Sequence, residues 1–174
     1  GGKLLKTYRF VNDIPKFGKV FILRNKKILI VDDEPLNRKL LSARLSHANY
    51  TIFSASNGKE AIEKVYENSP DLILLDIMMP IMDGYEVTRK LKADDNTKQI
   101  PIILITAMEE AGFKTMGFEA GADDFLNKPV NTNELLSRVR SLLSLKEYDD
   151  RIKKLNEDDF SESVKKEKIV QKEK

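Results

Sequence analysis

The sequence predicts an α/β fold: a doubly wound, five-stranded parallel sheet with an extended C-terminal helix. Three observations carry that prediction. Short apolar runs rich in β-branched residues recur from Lys27 to Asn127. The stretches between them space their apolar residues three or four apart, the period of an amphipathic helix. The runs are nearly continuous rather than alternating, which marks strands buried on both faces, as parallel sheets are.

Each element follows from its own residues. Lys27-Ile-Leu-Ile-Val31 is the first strand, and Leu36, Leu40, Leu41 and Leu45 set the helical period after it. Thr51–Ala55 is the second strand, and Gly58–Asn68 a helix with Ala61, Ile62 and Val65 inward. Asp71–Leu75 and Pro101–Ile105 read as strands three and four, flanking a helix over Gly84–Ala93 that turns Val87 and Leu91 inward. A helix over Glu109–Ala120 and a short strand over Asp124–Asn127 complete the alternation. Asn131 followed by Glu134 has the spacing of a capping box and opens the last helix, with Leu135, Leu136, Val139 and Leu142 inward.

Composition bounds the function classes. The chain has 174 residues, 41% hydrophobic and 33% charged, and no cysteine, so disulfides, thiolate metal sites and cysteine catalysis are excluded. No apolar run reaches the roughly 20 residues that span a bilayer, and the N-terminus lacks the apolar core of a secretory signal. A cytoplasmic protein is the expectation.

Charge divides the chain. Residues 1–27 carry eight Lys/Arg against one Asp, residues 28–145 carry 13 against 18 acidic residues, and residues 146–174 carry nine of each. The expected organisation is a basic arm over 1–26, a folded domain over 27–146, and a helical extension with a charged linker or tail over 147–174. A basic arm on an acidic body can bind nucleic acid or anionic lipid. The simpler reading is an arm that covers the body, partly a tag remnant at Gly1-Gly2, with no nucleic-acid or membrane partner. Tyr8, Phe10, Val11, Phe17, Val20, Phe21 and Ile22 in it suit a small hairpin.

Doubly wound sheets bind ligands outside the carboxyl ends of their strands. There the sequence places Asp32, Asp33 and Glu34 after strand one, Asp76 after strand three, Thr106 and Ala107 after strand four, and Lys128-Pro129 after strand five. Neighbouring carboxylates raise one another's pKa values. A hard divalent cation relieves that conflict, and magnesium takes such oxygen ligands. A carboxylate is also a nucleophile towards phosphorus, and phosphoryl transfer needs positioning and charge neutralisation above all. Lys128 and the Thr106 hydroxyl supply both. Each residue alone has an ordinary use, as a helix cap, a turn residue, a core aromatic or a surface lysine. Their convergence on one edge makes those uses together a poor account.

The runs Ile-Leu-Ile-Val-Asp32-Asp33-Glu34-Pro35, Leu-Leu-Asp76-Ile-Met-Met-Pro80-Ile-Met-Asp83-Gly84, Ile-Thr106-Ala107 and Gly121-Ala-Asp-Asp124-Phe125-Leu-Asn-Lys128-Pro129 resemble the receiver domain of bacterial two-component response regulators. The resemblance covers residues 27–146. It implies a flavodoxin-like sheet with strand order 2-1-3-4-5 and a phospho-acceptor at Asp76. It implies Mg2+ held by Asp33 directly, by Asp32 through water, by Asp76, and by the backbone carbonyl of Met78. Thr106 and Phe125 become the switch pair, Phe125 turning inward as Thr106 is drawn to the phosphoryl group. Lys128 contacts phosphoryl oxygens, a cis bond joins Lys128 to Pro129, and Gly84 allows a tight turn. The implied partners are a sensor histidine kinase or a histidine phosphotransfer protein, with a homodimer formed on phosphorylation. The activity is regulatory, limited to self-catalysed phosphoryl transfer and autodephosphorylation.

The segment Phe118–Asn131 and the leucine-rich helix after it look most like receivers attached to diguanylate cyclases, although no Gly-Gly-Asp-Glu-Phe motif occurs here. A stand-alone receiver serving as phosphorelay intermediate or scaffold is the alternative. Leu145, Tyr148, Ile152 and Leu155 continue the last helix at three-four spacing, a short coiled-coil seam, before a charged stretch from Asn156. Met78 and Met108 stand two residues after the acceptor and after the switch threonine. Neither orients water well, so slow self-hydrolysis is expected. A haloacid-dehalogenase phosphatase would need an Asp where Met78 stands, and a flavodoxin would need hydroxyls where Asp32 and Asp33 stand. His47, the one histidine, falls far from the acidic edge.

Overall fold

The computed structural model describes residues 25–107 and 111–172. The hairpin expected in the N-terminal arm, and Met108, lie outside them. Five strands, β1 (Lys27–Val31), β2 (Thr51–Ala55), β3 (Leu72–Asp76), β4 (Ile102–Thr106) and β5 (Asp124–Asn127), alternate with five helices. The helices are α1 (Pro35–Ser46), α2 (Gly58–Asn68), α3 (Gly84–Ala93), α4 (Ala111–Ala120) and α5 (Thr132–Lys172).

All strand pairings are parallel and the order is β2-β1-β3-β4-β5. This is the flavodoxin-like order implied by the motifs. Every residue of β3 and β4 is buried, which is why those segments read as unbroken apolar runs. One face of the sheet packs Leu29, Val31, Ile73, Leu75 and Leu104 with Ala61, Val65, Val87 and Leu91 of α2 and α3. The other packs Ile28, Ile30, Leu72, Leu74 and Ile103 with Leu41 and Leu45 of α1 and Leu135, Val139 and Leu143 of α5.

Local chemistry sets the helix starts. Asn57 accepts from the Glu60 N–H at 2.9 Å and starts α2. Asp83 and Glu86 form a reciprocal capping box at α3. Asn131 accepts from the Glu134 N–H at 3.0 Å, as the spacing at α5 predicts.

Four details differ from the sequence reading. β3 and β4 each start and end one residue later, because Asp71 is used as an acceptor for the Lys27 N–H at 2.9 Å, while Asp76 pairs in register with Ile105. Leu36 and Leu40 help set the helical period of α1 but are 64% and 46% exposed; the core is reached by Leu41 and Leu45. In α5 the deeply buried third residue is Leu143. α5 also runs past Asn156 to Lys172, where the sequence predicts a linker or tail. That stretch has no Pro or Gly and is rich in Lys and Glu, strong helix formers. No described helix is long and apolar enough to cross a membrane.

Candidate functional site

The strand order reverses between β1 and β3, and the acidic residues sit at the carboxyl ends of those two neighbouring strands. Asp32 is 1% exposed and follows β1 directly. Its Oδ1 accepts from the Glu34 N–H at 2.9 Å and from Asn37 Nδ2 at 3.3 Å, and its Oδ2 from Lys128 Nζ at 3.2 Å. The N-cap of α1 is Glu34, whose side chain makes no capping bond. The Asp32 carboxylate is therefore not consumed as a helix cap. Asp33 is exposed, and Asp76, the last residue of β3, is 4% exposed.

Carboxylate oxygens of Asp32, Asp33 and Asp76 all lie within 4.8 Å of one another. Among the described residues, Lys128 is the cation paired with them, 3.2 Å from Asp32 Oδ2 and 3.3 Å from Asp76 Oδ1. Its place is set by the sheet: the Lys128 N–H donates to the Thr106 carbonyl at 2.8 Å, one step beyond the Thr106–Asn127 register pair. The bond from Lys128 to Pro129 is cis, as the motif implies. Thr106 is fully buried at the end of β4.

The electrostatics follow from burial. Asp76 is pushed up to about 6, chiefly because burial disfavours its charged form; Lys128 works against that rise, and Asp32 and Asp33 add to it. Burial alone would lower the Lys128 pKa, but Asp76 and Asp32 outweigh it and the ammonium is held above its ordinary value. Three hard oxygen donors facing one ammonium form a donor set that fits a small divalent cation.

The loop between β3 and α3 is tightly drawn. A Cβ on Gly84 would stand 2.5 Å from the Asp76 carbonyl oxygen and 2.8 Å from the Ile77 Cα, so glycine is required by close approach. The Gly84 N–H donates to the Ile77 carbonyl at 2.9 Å in the space this leaves. Ile81 takes a φ of 73° within the loop, an uncommon conformation for a β-branched residue, and is fully exposed. Met78, two residues past Asp76, is 56% exposed.

Phe125 is already inward, at 5% exposure. A Cβ on Gly117 would come within 2.2 Å of its Cζ, so the ring occupies space that only glycine leaves, and Phe118 meets it edge-on at 4.8 Å. Sequence reasoning missed Gly117, Asn37 and Arg38. Their signal is position alone: one helix turn beyond an acidic loop, or eight residues before the aromatic.

The chain belongs to the response regulator family: the description "Response regulator receiver domain" matches residues 28–140. Over 120 residues it is 47% identical to Response regulator PleD of Caulobacter vibrioides, an alignment covering 69% of this chain and 26% of PleD. It is 49% identical over 117 residues to the transcriptional regulatory protein ResD of Bacillus subtilis, covering 67% of this chain and 48% of ResD. This chain thus spans between a quarter and a half of those relatives. Among solved structures, the receiver domain of a Pseudomonas aeruginosa sensor histidine kinase superposes with a TM-score of 0.65 at 31% identity, covering 69% of this chain and 98% of that one. That structure is described with a magnesium ion coordinated in its active-site cleft.

Proposed function

We propose that Asp76 accepts a phosphoryl group from a phosphohistidine on a sensor histidine kinase or a histidine phosphotransfer protein, and that this switches the state of the chain. The observation that carries this reading is the convergence of Asp32, Asp33 and Asp76 within 4.8 Å, facing the single ammonium of Lys128. An Asp76 carboxylate oxygen attacks phosphorus, the P–N bond to the donor imidazole breaks, and an acyl phosphate forms as imidazole leaves. A carboxyl titrating at about 6 is mostly ionised at neutral pH and so competent to attack. The 3.3 Å pair between Lys128 and Asp76 supports a role for the lysine in neutralising the transferred oxygens, and the position of Thr106 at the end of the neighbouring strand supports one in holding one of them.

Asp32, Asp33, Asp76 and the backbone carbonyl of Met78 would hold Mg2+. When bound, the ion would neutralise charge on the carboxylates and on the phosphoryl oxygens. Thr106 and Phe125 are the proposed switch pair. Phe125 begins from an inward position, so its contribution is to hold that state rather than to travel far.

The domain proper is assigned to residues 27–146, with 1–26 an arm and 147–174 an extension. Cytoplasmic location is proposed on the same reading. Leu145, Tyr148, Ile152 and Leu155, between 56% and 65% exposed along α5, favour pairing of two copies once the receiver is phosphorylated. A diguanylate cyclase is the output class the sequence resemblance supports.

Intact mass and light scattering before and after acetyl phosphate with Mg2+ test this. A phosphoryl increment lost in Asp76→Ala, with a shift from monomer to dimer, is the expected result. An increment without dimerisation would favour a relay or scaffold. No increment on the wild-type chain would refute the acceptor role.

A further inference from the structure

The loop that carries Asp32 and Asp33 is fastened through Asp32, whose N–H donates to the Ala55 carbonyl at 3.2 Å and whose Oδ1 accepts from the Glu34 N–H at 2.9 Å. α1 begins at Pro35, which has no N–H, and the side chain of its N-cap Glu34 makes no capping bond, accepting instead from Asn37 Nδ2 at 3.1 Å. The carboxylates on the loop are pressed towards a third one at Asp76, and like charges at this distance push apart. Something must hold the loop against that repulsion. Arg38, one turn into α1, reaches back beneath it. A single nitrogen, Nη1, donates to the Asp32 carbonyl at 2.6 Å and to the Asp33 carbonyl at 3.2 Å. The guanidinium therefore grips the backbone of both proposed ligands from behind, leaving the Asp32 and Asp33 carboxylates to the cation side.

We propose that Arg38 is a positioning residue for the divalent cation: by holding two successive carbonyls it keeps the Asp32 and Asp33 carboxylates gathered with that of Asp76. The inference rests on the reading of this site given above. Removing Arg38 has two opposed effects. The loop loses its order, which weakens cation binding, and one positive charge leaves the neighbourhood, which strengthens it. Order wins. The guanidinium is half-buried with access to solvent, so its repulsion is screened, whereas the carbonyl bonds act at contact distance on the residues that supply the ligands. Lysine would keep the charge but not the planar donor geometry.

Mg2+ titration of the full chain, followed by calorimetry and by amide NMR shifts, separates these effects without any phosphorylation. Arg38→Gln is expected to weaken Mg2+ affinity about tenfold or more, the usual cost of losing a group that orients metal ligands. Arg38→Lys should fall between it and the wild type. Hydrogen exchange of the Glu34 amide, which bonds to Asp32 at 2.9 Å, should quicken in Arg38→Gln while the thermal midpoint stays put. Unchanged or tighter Mg2+ binding in Arg38→Gln would overturn the proposal. So would wild-type affinity in Arg38→Lys, which would show that the planar donor geometry of the guanidinium is not what gathers the ligands. A wild-type chain that binds no Mg2+ would defeat the site reading itself and this inference with it; failure of Arg38→Gln alone leaves the site reading standing.

Discussion

At the amino ends of the strands, Asp71 stands 3.5 Å from Lys26 and 3.8 Å from Lys146, Glu147 3.1 Å from Lys26, and Asp123 2.8 Å from Lys92. At the carboxyl ends, Asp32 and Asp76 share one lysine, and Asp33 crowds beside them. The same residue types are thus used in two ways on one sheet. Charge at the amino edge is matched by cations held in place, and the result is structural. Among the described residues, charge at the carboxyl edge is left in excess, and the burial of Asp32 and Asp76 makes the excess costly. Such an imbalance persists where a ligand relieves it, which is why perturbed titration marks functional sites.

The sharpest way to break that contrast is to remove the excess. In the fold Asp76 titrates at about 6, well above an ordinary carboxyl at 3.8. The folded chain therefore keeps a proton that the unfolded chain has released between those pH values. Its stability is fully present below about pH 4 and falls as pH rises through about 6. Asp76→Asn should accordingly raise the unfolding free energy at pH 7 without divalent cation by about 2–3 kcal/mol and flatten its pH dependence. Urea unfolding at pH 5 and pH 7 measures both. Equal stability of the two chains at pH 7 would mean the carboxyl edge is not in excess.

An effect of similar or smaller size and opposite sign is expected at the amino edge. Lys92 donates to the carbonyls of Lys98 and Ile100 and to Asp123, at 3.1, 2.8 and 2.8 Å. Lys92→Met should destabilise by about 1–3 kcal/mol, since it strips charged bonds from a half-buried turn. The phosphoryl uptake proposed for Asp76 should be unaffected; a parallel loss of uptake would show that the two edges are not independent.

The smallest effect belongs to Asp71→Asn. Its pairs with Lys26 and Lys146 are long and partly exposed, so about 0.5–1 kcal/mol is expected, shrinking as salt is raised. A salt-insensitive loss would point instead to its bond from the Lys27 N–H.

The contrast also explains what could be read in advance. Strand and helix order was legible because fully buried strands leave unbroken apolar runs, as in Leu72–Leu75 and Ile102–Ile105. The acidic residues, Thr106 and Lys128 were legible because strand ends in this topology converge. The grip of Arg38 was not, because its acceptors are backbone carbonyls, which every residue carries and no pattern marks. The role of Gly117 was hidden for a related reason: its significance lies in the space taken by Phe125, eight residues away. The length of α5 was misjudged because periodicity finds helices through their buried face. Beyond Leu155 the helix has little apolar face to show and is carried by propensity instead.

That helix gives the domain mechanical gain. Its 41 residues at about 1.5 Å each make a rod of roughly 60 Å. Lys26 pairs with both Asp71, just before β3, and Glu147 of α5 where the helix leaves the sheet edge. About 40 Å of rod lies beyond that point, and a tilt of about 5° there sweeps the far end through about 3 Å. A small tilt where the helix leaves the sheet would thus arrive at the tip as a displacement the size of a hydrogen bond.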